Sequence, residues 1–362
     1  MSKFPFMHKV NLIILLVLIL VGVAYYFVVL HPRNDFRERS LTLFIWSEYI
    51  DEDLISEFER DHGVKVNMDW YESNEEMIAK LGTGREGVYD IIVPSTYSIP
   101  ALKNLDLIQP LDRSLIPNMK NIADPFTSIE VDPGNLYTVP YQYGTSGLAV
   151  RAGDLSKVDP SWELLYDQDK VLGEIVLFDT ARDALGSALK YLGYSLNTTN
   201  IEEIKKASEL LIKVKGYPNF FSFDSGVGGL NKVMGGVAAT AQVYNGEAVK
   251  AAKEDPELHY VTPKEGCEIW LDLLAIPKNA PNLEEAHEFL NFILEPQVGA
   301  RLATFNNYAT PNKAALPFIP KEDLENSGMY PTPAQMENME YMKDLGPNNR
   351  LYDEAFNFVK SR

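Results

Sequence analysis

Cysteine is almost absent from this 362-residue chain, in which Cys267 is the only one. No intrachain disulfide can form, but an extracytoplasmic location stays possible because larger domains fold without disulfides. A lone cysteine beside a predicted strand is more typical of a small core residue than of a nucleophile. Because no cysteine lies near the amino terminus, attachment of a lipid to a cysteine there is excluded.

Positive charge is also scarce, since 33 lysines and arginines face 51 aspartates and glutamates, for a net charge of −18. Binding to nucleic acid is therefore not expected, because phosphate contacts need clustered basic residues. The same charge disfavours docking on anionic lipid. It is compatible with a cationic ligand, although acidity alone also keeps many soluble proteins dispersed. The hydrophobic fraction of 46% is that of an ordinary globular protein.

Catalytic and metal-binding patterns are missing. The stretch 226–230 lacks the spacing of a dinucleotide loop, and no Gly-x-Ser-x-Gly elbow occurs. A carboxylate-based hydrolase remains a remote alternative, with either Asp179 and Asp183 or Glu48 and Asp272 as its acid–base pair. We therefore predict a protein that is not an enzyme and has no cofactor and no metal. None of the five histidines is at zinc-ligand spacing to another: His8, His31, His62, His259 and His287.

One long apolar run stands at the amino terminus, where Lys3 and Lys9 precede residues 10–30. This pattern predicts a signal or anchor segment over residues 1–35. A signal peptide would be cleaved after Ala24, at a small-x-small site. An uncleaved membrane anchor is the other interpretation, and the length of the run favours it. Both interpretations place residues 36–362 in the periplasm or at the outer face of the cytoplasmic membrane.

Strand and helix patterns alternate along the rest of the chain, which predicts an α/β fold with mostly parallel sheet flanked by helices. Asp51 should cap the first helix and Gly63 should end it. No interdomain linker is evident, so two domains would be joined by strand-like crossings at 137–151 and around Cys267. Strands are predicted at 41–46, 64–70, 90–95, 174–179, 237–243, 258–263 and 269–277, and helices at 51–63, 74–81 and 283–294.

Aromatic and acidic residues gather where these strands end. Open parallel sheets bind ligands beyond the carboxyl ends of their strands, so these residues are candidates for one site. Taken singly, such a residue is more often a core aromatic, a solvated acid or a helix cap; Asp179, for example, is placed to cap a helix beginning near Ala181. The coincidence of six such places favours a shared site. The residues are Trp46, Ser47, Glu48, Tyr49, Ser95, Thr96, Tyr97, Asp179, Asp183, Tyr244, Glu247, Trp270, Asp272 and Tyr308.

An elongated organic cation suits this combination of side chains. Ring faces attract cations by about 0.5–2 kcal/mol each. The same faces cover methylene groups, at about 0.8 kcal/mol per buried CH₂. Buried ammonium groups need carboxylate partners, because an unpaired buried charge is too costly. The pattern therefore suggests a linear polyamine as the ligand.

The chain resembles the periplasmic spermidine/putrescine-binding proteins of ABC uptake systems. The resemblance runs in order from about residue 41 to the carboxyl terminus, and the ordered set of motifs is more specific than any one of them. The motifs are WSEYI (46–50), YESNEEMIAKL (71–81), YDIIVPSTY (89–97), LYTVPYQYGTSGLAV (136–150), LGYSLNTTN (192–200), YNGEA (244–248), WLDLLAIPKNA (270–280) and YATPN (308–312).

The resemblance implies a two-lobed clamshell with two crossings, in which lobe 1 combines 38–145 with 271–316 and lobe 2 combines 146–270 with 317–362. It implies a monomer that delivers its polyamine to an inner-membrane ABC permease. It implies Ser47 and Ser95 as polar supports. The ligand would be boxed by Trp46, Tyr49, Tyr97, Tyr244, Trp270 and Tyr308, with its amines held by Glu48, Asp183, Glu247 and Asp272.

Several positions depart from that family's spermidine binders, which carry an acid at Thr180, a glutamine at Met342 and a small polar residue near Phe223. These departures weaken the case for a third amine, whereas Glu247 matches an acid of putrescine-type members. The choice between putrescine and spermidine therefore stays open. Thr180, Phe223, Met342 and the neighbouring Tyr341 are further candidate site residues.

Other functions remain open for the same fold, among them a clamshell for an amino acid, a sugar or ferric ion. An anionic solute would need arginine or helix N-termini, and Arg182 is the only base close to these strand ends. Tyr244 and Tyr308 leave ferric ion possible, but Trp46 and Trp270 argue against it because indoles do not ligate iron. A membrane-tethered polyamine sensor is the remaining alternative.

Overall fold

The computed structural model describes residues 18–19, 39–85 and 87–362. The apolar run at 10–30 and the cleavage position after Ala24 lie outside the described residues, apart from Leu18 and Ile19. In the described part of the chain, no helix is both long and apolar enough to cross a membrane. Residues 41–362 form one compact unit.

Strands and helices alternate through this unit, as the sequence predicts. The strands are β1 (Ser40–Trp46), β2 (Lys65–Tyr71), β3 (Ile91–Ile92), β4 (Thr138–Arg151), β5 (Ile175–Phe178), β6 (Phe220–Asp224), β7 (Thr240–Tyr244), β8 (Leu258–Val261), β9 (Glu268–Ala275) and β10 (Glu340–Tyr341). The helices are α1 (Glu52–His62), α2 (Asn74–Lys80), α3 (Ile99–Asn104), α4 (Glu163–Tyr166), α5 (Ala181–Tyr191), α6 (Ile201–Lys215), α7 (Gly226–Met234), α8 (Asn245–Glu254), α9 (Leu283–Ile293), α10 (Pro296–Asn306), α11 (Lys321–Leu324), α12 (Pro333–Met336) and α13 (Asn349–Ser361).

Helix α1 has the ends that its sequence predicts. The Asp51 side chain accepts a hydrogen bond from the backbone N–H of Asp53, which satisfies one of the free donors of the first turn. Gly63 ends the helix in the left-handed region, at φ 64°, where a residue without a Cβ is favoured. Leu54, Ile55 and Phe58 form its buried face.

Helix α5 begins differently from its predicted start. Thr180, not Asp179, is the N-cap residue. The Asp179 side chain instead accepts a hydrogen bond from Lys360 on α13 at 2.6 Å. The cap position was wrong by one residue because the chain stays extended through Thr180, which frees Asp179 to face the carboxyl-terminal helix.

The sheet confirms an α/β fold with parallel outer parts, and it adds an antiparallel centre. Strands follow the order β2-β1-β3-β9-β4-β7-β5-β6, with β10 on β9 and β8 on β4. β1 pairs with β3 in parallel, and β5 pairs in parallel with β6 and with β7. β4 is antiparallel to β7, β8 and β9. The alternation of strand and helix patterns predicts parallel pairs. The long strand β4 instead runs antiparallel to each strand with which it pairs.

The two largest hydrophobic cores of the described residues lie along the crossing strand β4. The first draws its buried residues from 41–141 and 271–308, and the second from 148–267 and 352–359. Cys267 is buried and free in the second core, and burial raises the pKa of its thiol, so a nucleophilic thiolate is disfavoured there. The lobe boundaries given above stay a prediction.

Candidate functional site

Asp272 lies at the centre of the candidate site, on β9. Tyr49 donates its hydroxyl to Oδ2 at 2.9 Å, and Ser95 donates its hydroxyl to Oδ1 at 2.6 Å. The residue is only 7% exposed. Burial raises the pKa of Asp272 to about 6, even though both hydrogen bonds favour the carboxylate. A buried carboxyl group is thus held in a fixed orientation by two hydroxyl groups.

The turn after β1 brings Tyr49 to Asp272. The Tyr49 carbonyl accepts hydrogen bonds from the Tyr141 hydroxyl at 2.8 Å and from the Asn306 side chain at 3.0 Å. Ser47 and Glu48 are exposed in this turn, and Glu48 has a φ of 55°, which is uncommon for a residue other than glycine. The turn is therefore fixed at its base, with Glu48 at its exposed tip.

Aromatic rings stand beside the carboxyl group. The ring of Tyr308 meets Trp270 edge to face at 4.7 Å, and it meets Tyr49 in the same way at 5.8 Å. Trp270 pairs with Gly144 of β4, where a Cβ atom would lie 2.4 Å from the indole ring. Glycine at this position lets the indole lie directly on the neighbouring strand.

Trp46 forms part of the same region at the end of β1. Its indole N–H donates to the Val93 carbonyl at 2.9 Å, and its ring contacts Tyr71 at 4.6 Å. It packs against the first hydrophobic core but is only partly buried. The sequence predicts Trp46 at the site, and the partly buried, hydrogen-bonded indole is compatible with that prediction.

Glu247 is a second carboxyl group next to the aromatic cluster. It lies in the first turn of α8 and accepts a hydrogen bond from the Tyr308 hydroxyl at 2.6 Å. Burial raises the pKa of Glu247, and the nearby Glu48 carboxylate adds to that rise. Glu48 and Glu247 therefore lie within electrostatic reach of each other, as the shared site predicts.

Asp183 is a third carboxyl group, in the first turn of α5. It accepts hydrogen bonds from the Thr180 hydroxyl at 2.5 Å and from the Tyr244 hydroxyl at 3.3 Å. Burial raises the pKa of Asp183 despite these donors. Thr180 and Tyr244 thus join the site through Asp183.

Tyr97 lies within electrostatic reach of this third carboxyl group. Its hydroxyl accepts a hydrogen bond from the Asn74 side chain at 3.0 Å, and Asn74 also accepts one from the backbone of Ser95. Burial raises the pKa of Tyr97, and the charges of Glu75 and then Asp183 contribute to the rise. Asn74 was not among the predicted residues, although it orients both Ser95 and Tyr97.

Glu268 is the acidic residue that the sequence analysis missed. Its side chain lines one small cavity with Asp183, and the charges of Asp183 and Asp272 both add to the rise in the pKa of Glu268 that burial causes. Glu268, Trp270 and Asp272 are separated by two residues each on β9, so they lie on one face of the strand. This alternation was the sequence pattern that could have identified Glu268.

The other predicted positions have separate surroundings. Phe223 contacts Phe220 at 5.2 Å and Phe356 at 5.3 Å, within the second core. Tyr341 is 39% exposed. Met342 lines a small cavity together with Asp183 and Glu268. The structure thus brings Met342 to the acidic pair, places Phe223 in a packing role, and leaves the roles of all these residues in ligand binding a prediction.

Asp179 does not join these acids. It is exposed and pairs with Lys360, so the acid–base pair of Asp179 with Asp183 has no support in the geometry. Within residues 39–85 and 87–362, no three His, Cys, Asp or Glu side chains are grouped as metal ligands. The cluster is one of single carboxyl groups, each beside a phenol or another carboxyl group.

Comparison with known proteins places the chain in a family. Residues 53–332 match the family of bacterial extracellular solute-binding proteins. The chain belongs to this family.

Two curated solute-binding proteins are similar over most of their length. The spermidine/putrescine-binding periplasmic protein of Escherichia coli is 36% identical over 326 residues, which cover 89% of this chain and 92% of the relative. A putrescine-binding periplasmic protein of Pseudomonas aeruginosa is 33% identical, with the same coverage of 89% and 92%.

Among solved solute-binding proteins, the spermidine/putrescine ABC transporter substrate-binding protein of Streptococcus pneumoniae has a TM-score of 0.78 and 31% identity. The match covers 89% of this chain and 99% of that one. Proteins similar to this chain thus include periplasmic binding proteins and ABC transporter substrate-binding proteins.

Proposed function

We propose that this solute-binding protein captures a polyamine, putrescine or spermidine, between its two lobes and delivers it to an inner-membrane ABC permease. The observation that carries the proposal is Asp272. It is a buried carboxyl group, oriented by Tyr49 and Ser95, with the rings of Trp270 and Tyr308 beside it. Within residues 39–85 and 87–362 no lysine or arginine pairs with this carboxylate, and an ammonium group would supply the positive charge.

The further acids favour a ligand with more than one amine. Glu247 accepts a hydrogen bond from Tyr308, while Glu268, which shares a small cavity with Asp183, is within electrostatic reach of Asp272. Burial raises the pKa of Tyr308, and the charges of Glu247 and Asp272 add to that rise. Tyr308 therefore lies within electrostatic reach of both carboxyl groups. A linear molecule with separated ammonium groups matches separated carboxyl groups joined by aromatic surface. The names of the similar proteins, which bind putrescine and spermidine, support the same ligand class.

The proposed cycle includes closure of two lobes, 38–145 with 271–316 and 146–270 with 317–362. An amine would enter between open lobes, and closure would exclude water and strengthen each charge pairing. We further propose a monomer that acts in the periplasm. The apolar segment at 10–30 would tether it to the outer face of the cytoplasmic membrane.

Titration calorimetry on the full chain in mild detergent tests the ligand class. We expect putrescine or spermidine to bind with measurable heat at neutral pH. Butane-1,4-diol, which matches putrescine in length but has no charge, should not bind. If neither amine binds under conditions in which the chain is folded, the polyamine proposal is wrong. If the diol binds as tightly as putrescine, the carboxyl groups do not contribute to ligand binding.

Gly246→Ala should weaken amine binding by at least tenfold. A Cβ atom at Gly246 would lie 2.4 Å from the ring of Tyr308 and 2.7 Å from the Asn306 carbonyl. Tyr308 belongs to the first core, whereas Gly246 lies on α8, which packs on β7 and β8. The added methyl group would therefore separate Tyr308 from Glu247 without filling either core.

The matched control is Gly153→Ala, because a Cβ atom there meets nothing within 4 Å. Calorimetry should give the parental affinity for this control. Parental affinity in Gly246→Ala would show that the close approach of Gly246 to Tyr308 is not part of the ligand-bound state.

A further inference from the structure

We propose that Glu268 is a ligand-binding residue that forms, together with Asp183, a two-carboxyl seat for one ammonium group, and that the amine displaces a proton which the empty pair shares. This inference rests on the proposed polyamine binding and deepens it. It assigns a residue to one end of the site and predicts that binding there depends on pH.

The position of Glu268 follows from β9. Residues two apart on a strand face the same side, so Glu268 faces the side on which Trp270 and Asp272 contribute to the site. The strand begins at Glu268, and Glu268 and Asp183 line one small cavity. Glu268 is therefore the outermost of three consecutive site positions on one strand face.

The closeness of the two carboxyl groups favours a shared proton while the site is empty. Asp183 and Glu268 line the same small cavity, and two ionised carboxylates are acceptors only, so the two groups can share a hydrogen bond only when one of them is protonated. Burial, and then the Asp183 charge, raise the pKa of Glu268 well above its ordinary value. We therefore infer that the empty pair shares one proton, because burial and mutual repulsion both oppose full ionisation of the two carboxyl groups.

The nearby bases are engaged elsewhere. Lys190 on α5 pairs with Glu340 at 2.8 Å. The Arg182 guanidinium donates to Asn197 and Asn349 and stacks on Tyr352, at 4.7 Å from its ring. Arg182 lowers the pKa of both acids, but it does not hydrogen-bond to either.

The remaining titratable neighbours are phenols, a thiol and an acid. Tyr97 and Tyr244 face the pair from the turn before α3 and from β7. Tyr260 of β8 and Cys267 are within electrostatic reach of Glu268. Asp272 adds its own negative charge from β9. No member of this group supplies a positive charge, so an amine is the missing partner.

The exchange is balanced in charge and protons. The shared proton leaves the carboxyl pair for solvent, both carboxylates become ionised, and one ammonium group takes the place of the proton between them. Binding therefore releases up to one proton at neutral pH. Affinity should fall as the pH is lowered, because the proton then competes more strongly with the amine.

Calorimetry with spermidine and putrescine on the full chain at pH 7.5, in phosphate, HEPES and Tris, tests the inference. The dependence of the binding heat on the buffer's ionisation enthalpy gives the number of protons released. We expect about one proton for the parent, because Asp272 is already ionised at this pH. Glu268→Gln should release almost none and should bind at least tenfold more weakly, since its amide can donate to Asp183 without a shared proton.

Glu209→Gln is the control, because Glu209 is exposed on α6. It should bind and release protons like the parent. Two results would overturn the inference: no proton released by a parent that binds amine, or as many released by Glu268→Gln as by the parent. A parent that binds neither amine would instead contradict the proposed function itself, so the two failures are distinguishable.

Discussion

Asp272→Asn should weaken polyamine binding by about 30-fold to several thousand-fold. Truncating one partner of a desolvated, hydrogen-bonded charge pair costs about 2–5 kcal/mol, which corresponds to that range of affinity. The asparagine keeps the size of the side chain, and its oxygen can still accept from Tyr49 or Ser95. The loss would therefore report the missing charge rather than a collapsed site. Calorimetry with putrescine and spermidine measures it.

The matched control is Asp353→Asn, an exposed residue on the carboxyl-terminal helix α13. It removes the same charge from the chain and should leave the affinity within twofold of the parent. If Asp272→Asn also binds within twofold of the parent, Asp272 does not hold an amine. The placement of the site around this residue would then be wrong.

The same substitution should stabilise the ligand-free protein at neutral pH. Burial raises the pKa of Asp272 from an ordinary value of 3.8 to about 6, so the native state binds this proton more tightly than the unfolded chain does. Above pH 6 the Asp272 carboxylate of the native state is ionised in a buried position, where a charge is unfavourable. The difference corresponds to about 3 kcal/mol of lost stability at pH 7. The neutral asparagine avoids this loss.

The pH dependence gives the sign of this effect. Below pH 6 Asp272 becomes protonated in the native parent, so the advantage of Asp272→Asn should shrink as the pH falls toward 4. Denaturant unfolding of both proteins without amine, between pH 5 and pH 8, measures the difference in free energy of unfolding. Asp353→Asn should show no such trend. If Asp272→Asn is less stable than the parent at pH 8, the ionised Asp272 carboxylate does not destabilise the ligand-free protein.

The two effects have a common origin. A site that must neutralise ammonium groups assembles carboxyl groups before the ligand arrives, and burial makes each of them costly while the site is empty. Hydrogen bonds from Tyr49, Ser95, Tyr308 and Tyr244 reduce that cost without supplying positive charge. The ammonium groups of the ligand offset the remaining cost when they bind. Asp272 should therefore lower the stability of the empty protein and raise its affinity for the amine.

Local patterns in the sequence determined much of this protein. Asp51 and Gly63 fix the ends of α1 because capping depends on residues within one turn. The ordered motifs indicate the family, and the comparisons confirm it. Aromatic and acidic residues at strand ends predicted one shared site, and its role in ligand binding stays a prediction. The structure adds pairwise contacts that the sequence did not predict, since Tyr49–Asp272, Tyr308–Glu247 and Tyr244–Asp183 are each within hydrogen-bond distance.

Tertiary structure alone decided the contacts between segments far apart in the chain. Packing decides whether an acid at a strand end lies in the site or pairs with a distant lysine. Asp179 pairs with Lys360, which lies 181 residues away in the chain. The antiparallel centre depends on how β4 and β9 pair, which no local pattern specifies. Glu268 was not among the predicted site residues because its neighbour Asp183 lies 85 positions earlier in the chain, and the two meet only when α5 packs against β9. Short-range rules fix caps and strand faces, whereas the pairing of buried charges depends on the whole fold.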